Sequence, residues 1–145
     1  MFTRREFGKV IIGGIAMYLT KNFTTDEFQC HCGCGDSEMD RDFMQILQNI
    51  RDELKTPLNP SSGYRCPIWN NKVSSTGMTG PHTHRKSVDI KIHGAAAIKL
   101  LAIAVKHGIT GIGLKQHGRH KERFIHLDNL GEGYHGPRPW NWTYS

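Results

Sequence analysis

Gly80-Pro81-His82-Thr83-His84-Arg85-Lys86-Ser87-Val88-Asp89-Ile90 brings imidazole and carboxylate together at the mouth of one strand. Val88, Ile90 and Ile92 alternate with Ser87, Asp89 and Lys91, the period-two pattern of a half-buried strand. Asp89 is therefore expected to point away from the apolar face, and the loop before it can fold His82 back alongside. Phe124-Ile125-His126-Leu127-Asp128 repeats the pattern downstream, with Phe124, His126 and Asp128 on one face of a second short strand. His126 added to His82 and Asp89 gives two nitrogens and a carboxylate with an open fourth position. That is the donor set of a catalytic zinc, since the vacant place holds the water to be activated.

Around this centre, 145 residues make one ordinary domain, long enough to bury a core without disulfide staples. A hydrophobic content of 37% and 16 glycines suit a compact, loop-rich fold rather than a helical bundle or a disordered chain. The formal charge of +6 favours an anionic partner: nucleic acid, a membrane surface or a cell-wall polymer. No basic stripe interleaved with aromatics and no recognition-helix motif is present, which argues against nucleic acid. Nine histidines favour metal chemistry. Of the four cysteines, Cys30, Cys32 and Cys34 form Cys-x-Cys-x-Cys and Cys66 stands apart. This is not the Cys-x-x-Cys knuckle of a structural zinc site and no second knuckle follows, so a zinc ribbon is not expected. The four read as small buried thiols at a tight loop, one of the three near Cys66, with a disulfide open to them in an exported protein.

Residues 1–19 differ from the rest. Thr3-Arg4-Arg5-Glu6-Phe7-Gly8-Lys9 precedes an apolar run over 10–19, a charged head and the length of a signal h-region, too short to span a bilayer comfortably. The head resembles a twin-arginine export signal. No small-x-small cleavage site lies near Leu19. The segment is expected to be an export signal or uncleaved anchor, with membrane contact through residues 10–19; the competing reading is an N-terminal helix packed on the domain. Residues 20–145 are expected to form that domain. Thr24 or Thr25 is a cap for a short helical turn. Residues 37–54 carry Met39, Phe43, Ile46, Leu47, Ile50 and Leu54 on one helical face. Pro57 and Pro60 bracket a linker or weak strand, and 70–80 reads as a surface loop. A second amphipathic helix over 94–107 buries Ala97, Leu100, Leu101, Ala104 and Val105. A strand over 109–114, a basic loop over 115–123 and the strand 124–128 follow. The whole is an α+β domain, a small antiparallel sheet flanked by two amphipathic helices.

Phe28-x-Cys30-x-Cys32-Gly33-Cys34, Ser62-Gly63-Tyr64-Arg65-Cys66-Pro67 with Asn70, His82 with Asp89, His126-x-Asp128 and the closing Arg138-Pro139-Trp140 occur in one order. In that combination the chain resembles the zinc D-Ala-D-Ala carboxypeptidase family over roughly residues 22–142, a fold shared with phage endolysins and Hedgehog domains. The resemblance implies a zinc peptidase acting on peptidoglycan, with His82, Asp89 and His126 as Zn2+ ligands and Arg65 gripping a substrate carboxylate or carbonyl. It also implies export to the periplasm or cell envelope, or a phage lytic role at the host wall. The other reading it leaves open is a non-catalytic, zinc-stabilised wall-binding or phage structural module. Where the family has Ser-x-His-x-x-Gly-x-Ala-x-Asp, the chain has Gly80-x-His82-x-x-Arg85-x-Ser87-x-Asp89, so an arginine replaces the glycine at the turn. That substitution implies a loop of different shape or an Arg85 contact to anionic substrate. The family's acidic or histidine base, three residues before the last ligand, is Arg123 here. Glu122 is the expected general base, with His120 as the neighbouring candidate. Asp128 is expected to orient a ligand, and His84 is a rival to His82 that the seven-residue spacing to Asp89 disfavours.

Overall fold

The structure, a computed structural model, describes residues 10, 11, 14, 15, 17–133 and 136–145. Val10–Ile11 (β1) pairs antiparallel with Gly14–Ile15 (β2), a strand pair where a continuous helix was the competing reading. The twin-arginine head lies outside the described residues. Among those described, no helix is long and apolar enough to cross a membrane.

The main helix, α1 (Arg41–Leu54), starts later than its periodicity suggests because Asp40 caps it, its side chain accepting from the Phe43 N–H at 2.9 Å. Met39, in line with the stripe, is buried just before the helix begins. β3 (Pro60–Ser62) is an edge strand, the one place in a sheet where Pro60 costs no ladder bond. α2 (Pro67–Val73) occupies part of the expected surface loop. Pro67 stands in its first turn, where a missing N–H is harmless, and Asn70 is fully buried within it. Seven residues are too few to leave a periodic signal.

β4 (Ser87–Lys91), α3 (Gly94–Lys106), β5 (Gly111–Lys115) and β6 (Phe124–Asp128) follow the expected order. β7 (Trp140–Thr143) was not foreseen. The sheet runs β3-β4-β6-β5-β7, antiparallel except that β7 lies parallel to β5. The α+β class holds, with a mixed sheet in place of a purely antiparallel one. Phe43, Leu47 and Ile50 of α1 and Ala97, Leu100 and Ala104 of α3 join Val88, Ile90, Ile125 and Leu127 in one core on one face of the sheet. Val105, expected in the α3 stripe, is 62% exposed, because positions 97, 100 and 104 define the buried face and 105 is a step round from it. Ser87 and Asp89 of β4 are buried along with Val88 and Ile90, so both faces of this strand are covered.

Arg85 sits in the left-handed region, with φ 63°. The turn of the family's glycine is therefore kept, at a conformational cost of about 1–2 kcal/mol for a residue with a Cβ. Its guanidinium offsets this by a two-pronged pair with Asp36 (Nη1–Oδ1 2.7 Å, Nη2–Oδ2 2.8 Å) and by lying over the Tyr64 ring at 3.9 Å. Its carbonyl accepts the Asp40 N–H at 3.0 Å, fixing the start of α1. Arg85 thus ties its loop to the cysteine loop and does not line the cavity described below. Replacing Arg85 by Ala removes the pair while leaving the strained turn, and urea unfolding should show a loss of about 1–2 kcal/mol. Arg85→Gly relaxes the turn and should recover about 1 kcal/mol of that loss; equal losses in the two variants would show that the turn carries no strain.

Candidate active site

Two strands and a loop carry the three central side chains. In the register of β4 against β6, Asp89 stands directly opposite His126. His82 lies on a 3-10 turn, Pro81–His84, immediately before β4. That turn is docked by two links, His82 Nδ1 to the Gly63 carbonyl at 2.7 Å and the Arg65 N–H to the His82 carbonyl at 3.2 Å. Gly63 must be glycine here: a Cβ would stand 2.6 Å from the Phe28 Cα. The Ser-Gly-Tyr-Arg motif therefore holds His82 from behind.

The hydrogen bonds fix both imidazole tautomers. A carbonyl only accepts, so His82 Nδ1 carries its proton and Nε2 presents a lone pair. His126 Nε2 lies 2.9 Å from Asp128 Oδ2 and donates to that carboxylate, leaving a lone pair on Nδ1. The two lone pairs face each other at 3.2 Å, and Asp89 Oδ1 is 3.1 Å from His126 Nδ1 and 3.2 Å from His82 Nε2. With both imidazoles neutral, three acceptors meet with no hydrogen between them, buried at 4%, 6% and 1% exposure for His82, Asp89 and His126. Such an arrangement calls for a cation at its centre. Ligand atoms about 2.0–2.1 Å from a tetrahedral zinc stand about 3.3 Å apart, so the spacing fits zinc. Burial pushes the His82 imidazole below its ordinary pKa, which favours the neutral, ligating form. At His126 burial acts the same way but is outweighed by Asp128 and Asp89, which raise its pKa, so a cation at the centre displaces the His126 Nδ1 proton.

Asp128 is fully buried and is held in turn by Arg138, Nε–Oδ1 3.1 Å and Nη2–Oδ2 3.1 Å. Burial would raise its pKa, but the His126 hydrogen bond and the Arg138 guanidinium outweigh it and hold the carboxyl at about 2. Gly111, paired with Asp128 across β5 and β6, leaves the room: a Cβ there would stand 2.3 Å from the Asp128 carboxylate. Trp142 on β7 lies 5.0 Å from the His126 ring, centroid to centroid. The strand missed in the sequence therefore extends the polar face of the sheet beyond β5 and sets Trp142 beside His126.

A cavity of about 630 Å³ opens over the centre, with Arg65, Lys115, Phe124, Trp142 and Tyr144 in its walls. Arg65 is anchored by Asp89 Oδ2 at 3.0 Å, Ser62 Oγ at 3.0 Å and Asn70 Oδ1 at 3.3 Å. It braces a central carboxylate as well as bordering the cavity. Burial and the nearby Asp89 charge push the Tyr144 hydroxyl up to about 12, so it stays protonated. His84, the rival to His82, turns its Nε2 to the Thr79 carbonyl at 3.2 Å and is not part of the three-residue cluster. Glu122 sits on the 3-10 turn His120–Glu122 and holds Arg119, with Nε–Oε1 at 3.0 Å. His120 stacks on His93 with centroids 4.2 Å apart. Neither Glu122 nor His120 lines the cavity.

Centre and cavity together give a buried two-histidine, one-carboxylate cluster beneath an open cleft, a donor set suited to a catalytic metal such as zinc. The family model for peptidase M15 matches residues 21–128, and the chain belongs to that family of zinc-dependent peptidases. A comparison with curated proteins gives no match. The protein is thus a zinc-dependent peptidase, with His82, Asp89 and His126 as a cluster suited to the metal.

Support behind a ligand typically matters for metal affinity by about 10–100-fold. Asp128→Asn keeps the side-chain shape but removes the charge facing His126 and Arg138. Competition with a chromophoric chelator should show zinc binding weakened by about that factor, and an unchanged affinity would mean that Asp128 does not act through His126.

Proposed function

We propose that this protein hydrolyses peptide bonds in the stems or cross-bridges of peptidoglycan. The observation that carries the reading is the cavity, in which the Arg65 and Lys115 cations border a buried two-histidine, one-carboxylate floor. Wall peptides bear free carboxylates, and a planar guanidinium pairs with carboxylate in two places. His82, Asp89 and His126 would hold the zinc, which when bound would supply Lewis acidity toward the scissile carbonyl and a water of lowered pKa, about 7. The chain's part is to fix the donors. Gly63 and Asp128 hold the imidazole protons away from the centre, Arg65 braces Asp89 and orients the substrate's carboxylate, and Phe124 and Trp142 limit water in the cleft.

Glu122 is the proposed proton acceptor, on the condition that its carboxylate leaves Arg119 when substrate enters. One fact supports that role: its turn leads directly into β6, the strand that carries His126. The Arg119 hydrogen bond lowers its pKa and so weakens it as a base, and leaving Arg119 removes that effect. Residues 1–19 are proposed to direct the domain to the envelope, through the twin-arginine head and apolar run; delivery by phage lysis would bring the same domain to the same polymer. Lys115, Arg119, Lys121 and Arg123 favour an anionic wall, an attraction that salt weakens.

Digestion of purified peptidoglycan, with products identified by mass, tests the reading. Zinc-loaded wild type should release stem-peptide fragments, and chelated protein and His126→Ala should release none; no fragments from the loaded wild type would overturn the substrate assignment. In the same assay Glu122→Gln should lower kcat by about 10²–10⁴ with zinc content unchanged, whereas a wild-type rate would remove Glu122 from the chemistry.

A further inference from the structure

The four cysteines, read from spacing as small buried thiols, come together in space, and only Cys30 of them is buried, because Cys32 and Cys34 stand on an exposed loop. Cys30, Cys32, Cys34 and Cys66 offer sulfurs that all lie within 4.8 Å of one another, and all four are free thiols. Cys32 Sγ is 3.5 Å from Cys30 Sγ and 3.7 Å from Cys66 Sγ. A tetrahedral zinc with sulfurs at about 2.3 Å sets neighbouring sulfurs about 3.8 Å apart. Cys32 thus stands at nearly one distance from two partners at once, the pattern of a shared centre rather than of a pair.

The backbone is arranged for anionic sulfur. The Cys66 N–H donates to Cys30 Sγ at 3.3 Å and the Cys34 N–H to Cys32 Sγ at 3.4 Å. Residues 31–35 are exposed, so apolar burial does not order this loop. Its base is closed by the Cys30 N–H on the Asp36 carbonyl at 2.9 Å, and Arg85 grips the Asp36 side chain. Cys66 follows Arg65 directly and caps α2.

We propose that Cys30, Cys32, Cys34 and Cys66 bind a second zinc ion, a closed four-sulfur site with a structural role, separate from the His82, Asp89 and His126 centre. Soft thiolates select a thiophilic metal, and four protein ligands leave no position for a reacting water. Binding displaces the thiol protons to solvent. The ion ties residues 30–34 to the Arg65–Cys66 step, and so steadies the guanidinium that braces Asp89.

The full chain, isolated from zinc-supplemented culture without reductant or chelator, should contain two zinc ions by elemental analysis. His126→Ala should keep one, and Cys32→Ser/Cys66→Ser should keep one. Cobalt titrated into metal-depleted wild type and into His126→Ala should give the intense near-ultraviolet charge-transfer band of cobalt thiolate, which two imidazoles and a carboxylate cannot produce. The wild-type spectrum needs no variant to fold. A single zinc per chain with no thiolate band would overturn the proposal, as would an intact mass showing the four cysteines joined as disulfides. A protein that shows the band and cleaves no peptidoglycan would keep this site while refuting the substrate reading.

Discussion

Two imidazole lone pairs and a carboxylate oxygen, all within 3.2 Å of one another in a buried pocket, are the constraint on which this structure depends. Left to themselves they repel, and each acceptor would prefer water. The fold holds them against that preference from behind. The Gly63 carbonyl takes one imidazole proton, and Asp128 takes the other. Arg65 takes the second oxygen of Asp89. The repulsion is thereby converted into affinity for a cation, and the free energy of binding that cation becomes part of the free energy of folding.

Such an arrangement dictates what lies on each face of the sheet. Val88, Ile90, Ile125 and Leu127 bury one face against α1 and α3 by the ordinary hydrophobic effect. The other face is polar and nevertheless buried, so its polar groups need partners, and among the described residues Ser87 Oγ is the side chain of β4 left without one. Arg138 answers Asp128, Gly111 gives that carboxylate room, and β7 closes the edge with Trp142 against His126.

Much of this was legible in the sequence. The alternation around Asp89 and the echo at His126 give the strands and the face they share, because a period of two leaves little choice. The α1 stripe gives the core helix. What was not legible follows from contacts distant in sequence. β7 does carry a strand signal, Trp140, Trp142 and Tyr144 alternating with Asn141, Thr143 and Ser145, but the run is short and follows a proline-rich stretch, and only its pairing with β5 shows which face it joins. Arg138 was noted only as part of a resemblance; its partner, Asp128, becomes evident only when the sheet is assembled. Glu122 was selected by proximity in sequence to His126, yet its carboxylate is turned to Arg119. The cysteines were judged by spacing along the chain, and Cys66 is brought to the other three by the fold, through the Phe28 and Tyr64 backbone pairing at 3.0 Å.

The left-handed Arg85 shows how a local substitution reaches across the molecule. A glycine at that turn needs no support, whereas an arginine is tolerated together with an acid 49 positions earlier and an aromatic ring beneath it. Asp36, Tyr64 and Arg85 therefore act as one unit in holding the turn before β4. With glycine at 85 the turn would stand without the acid at 36 or the ring at 64, and the cysteine loop would then be joined to the histidine turn through the Arg65–Cys66 step.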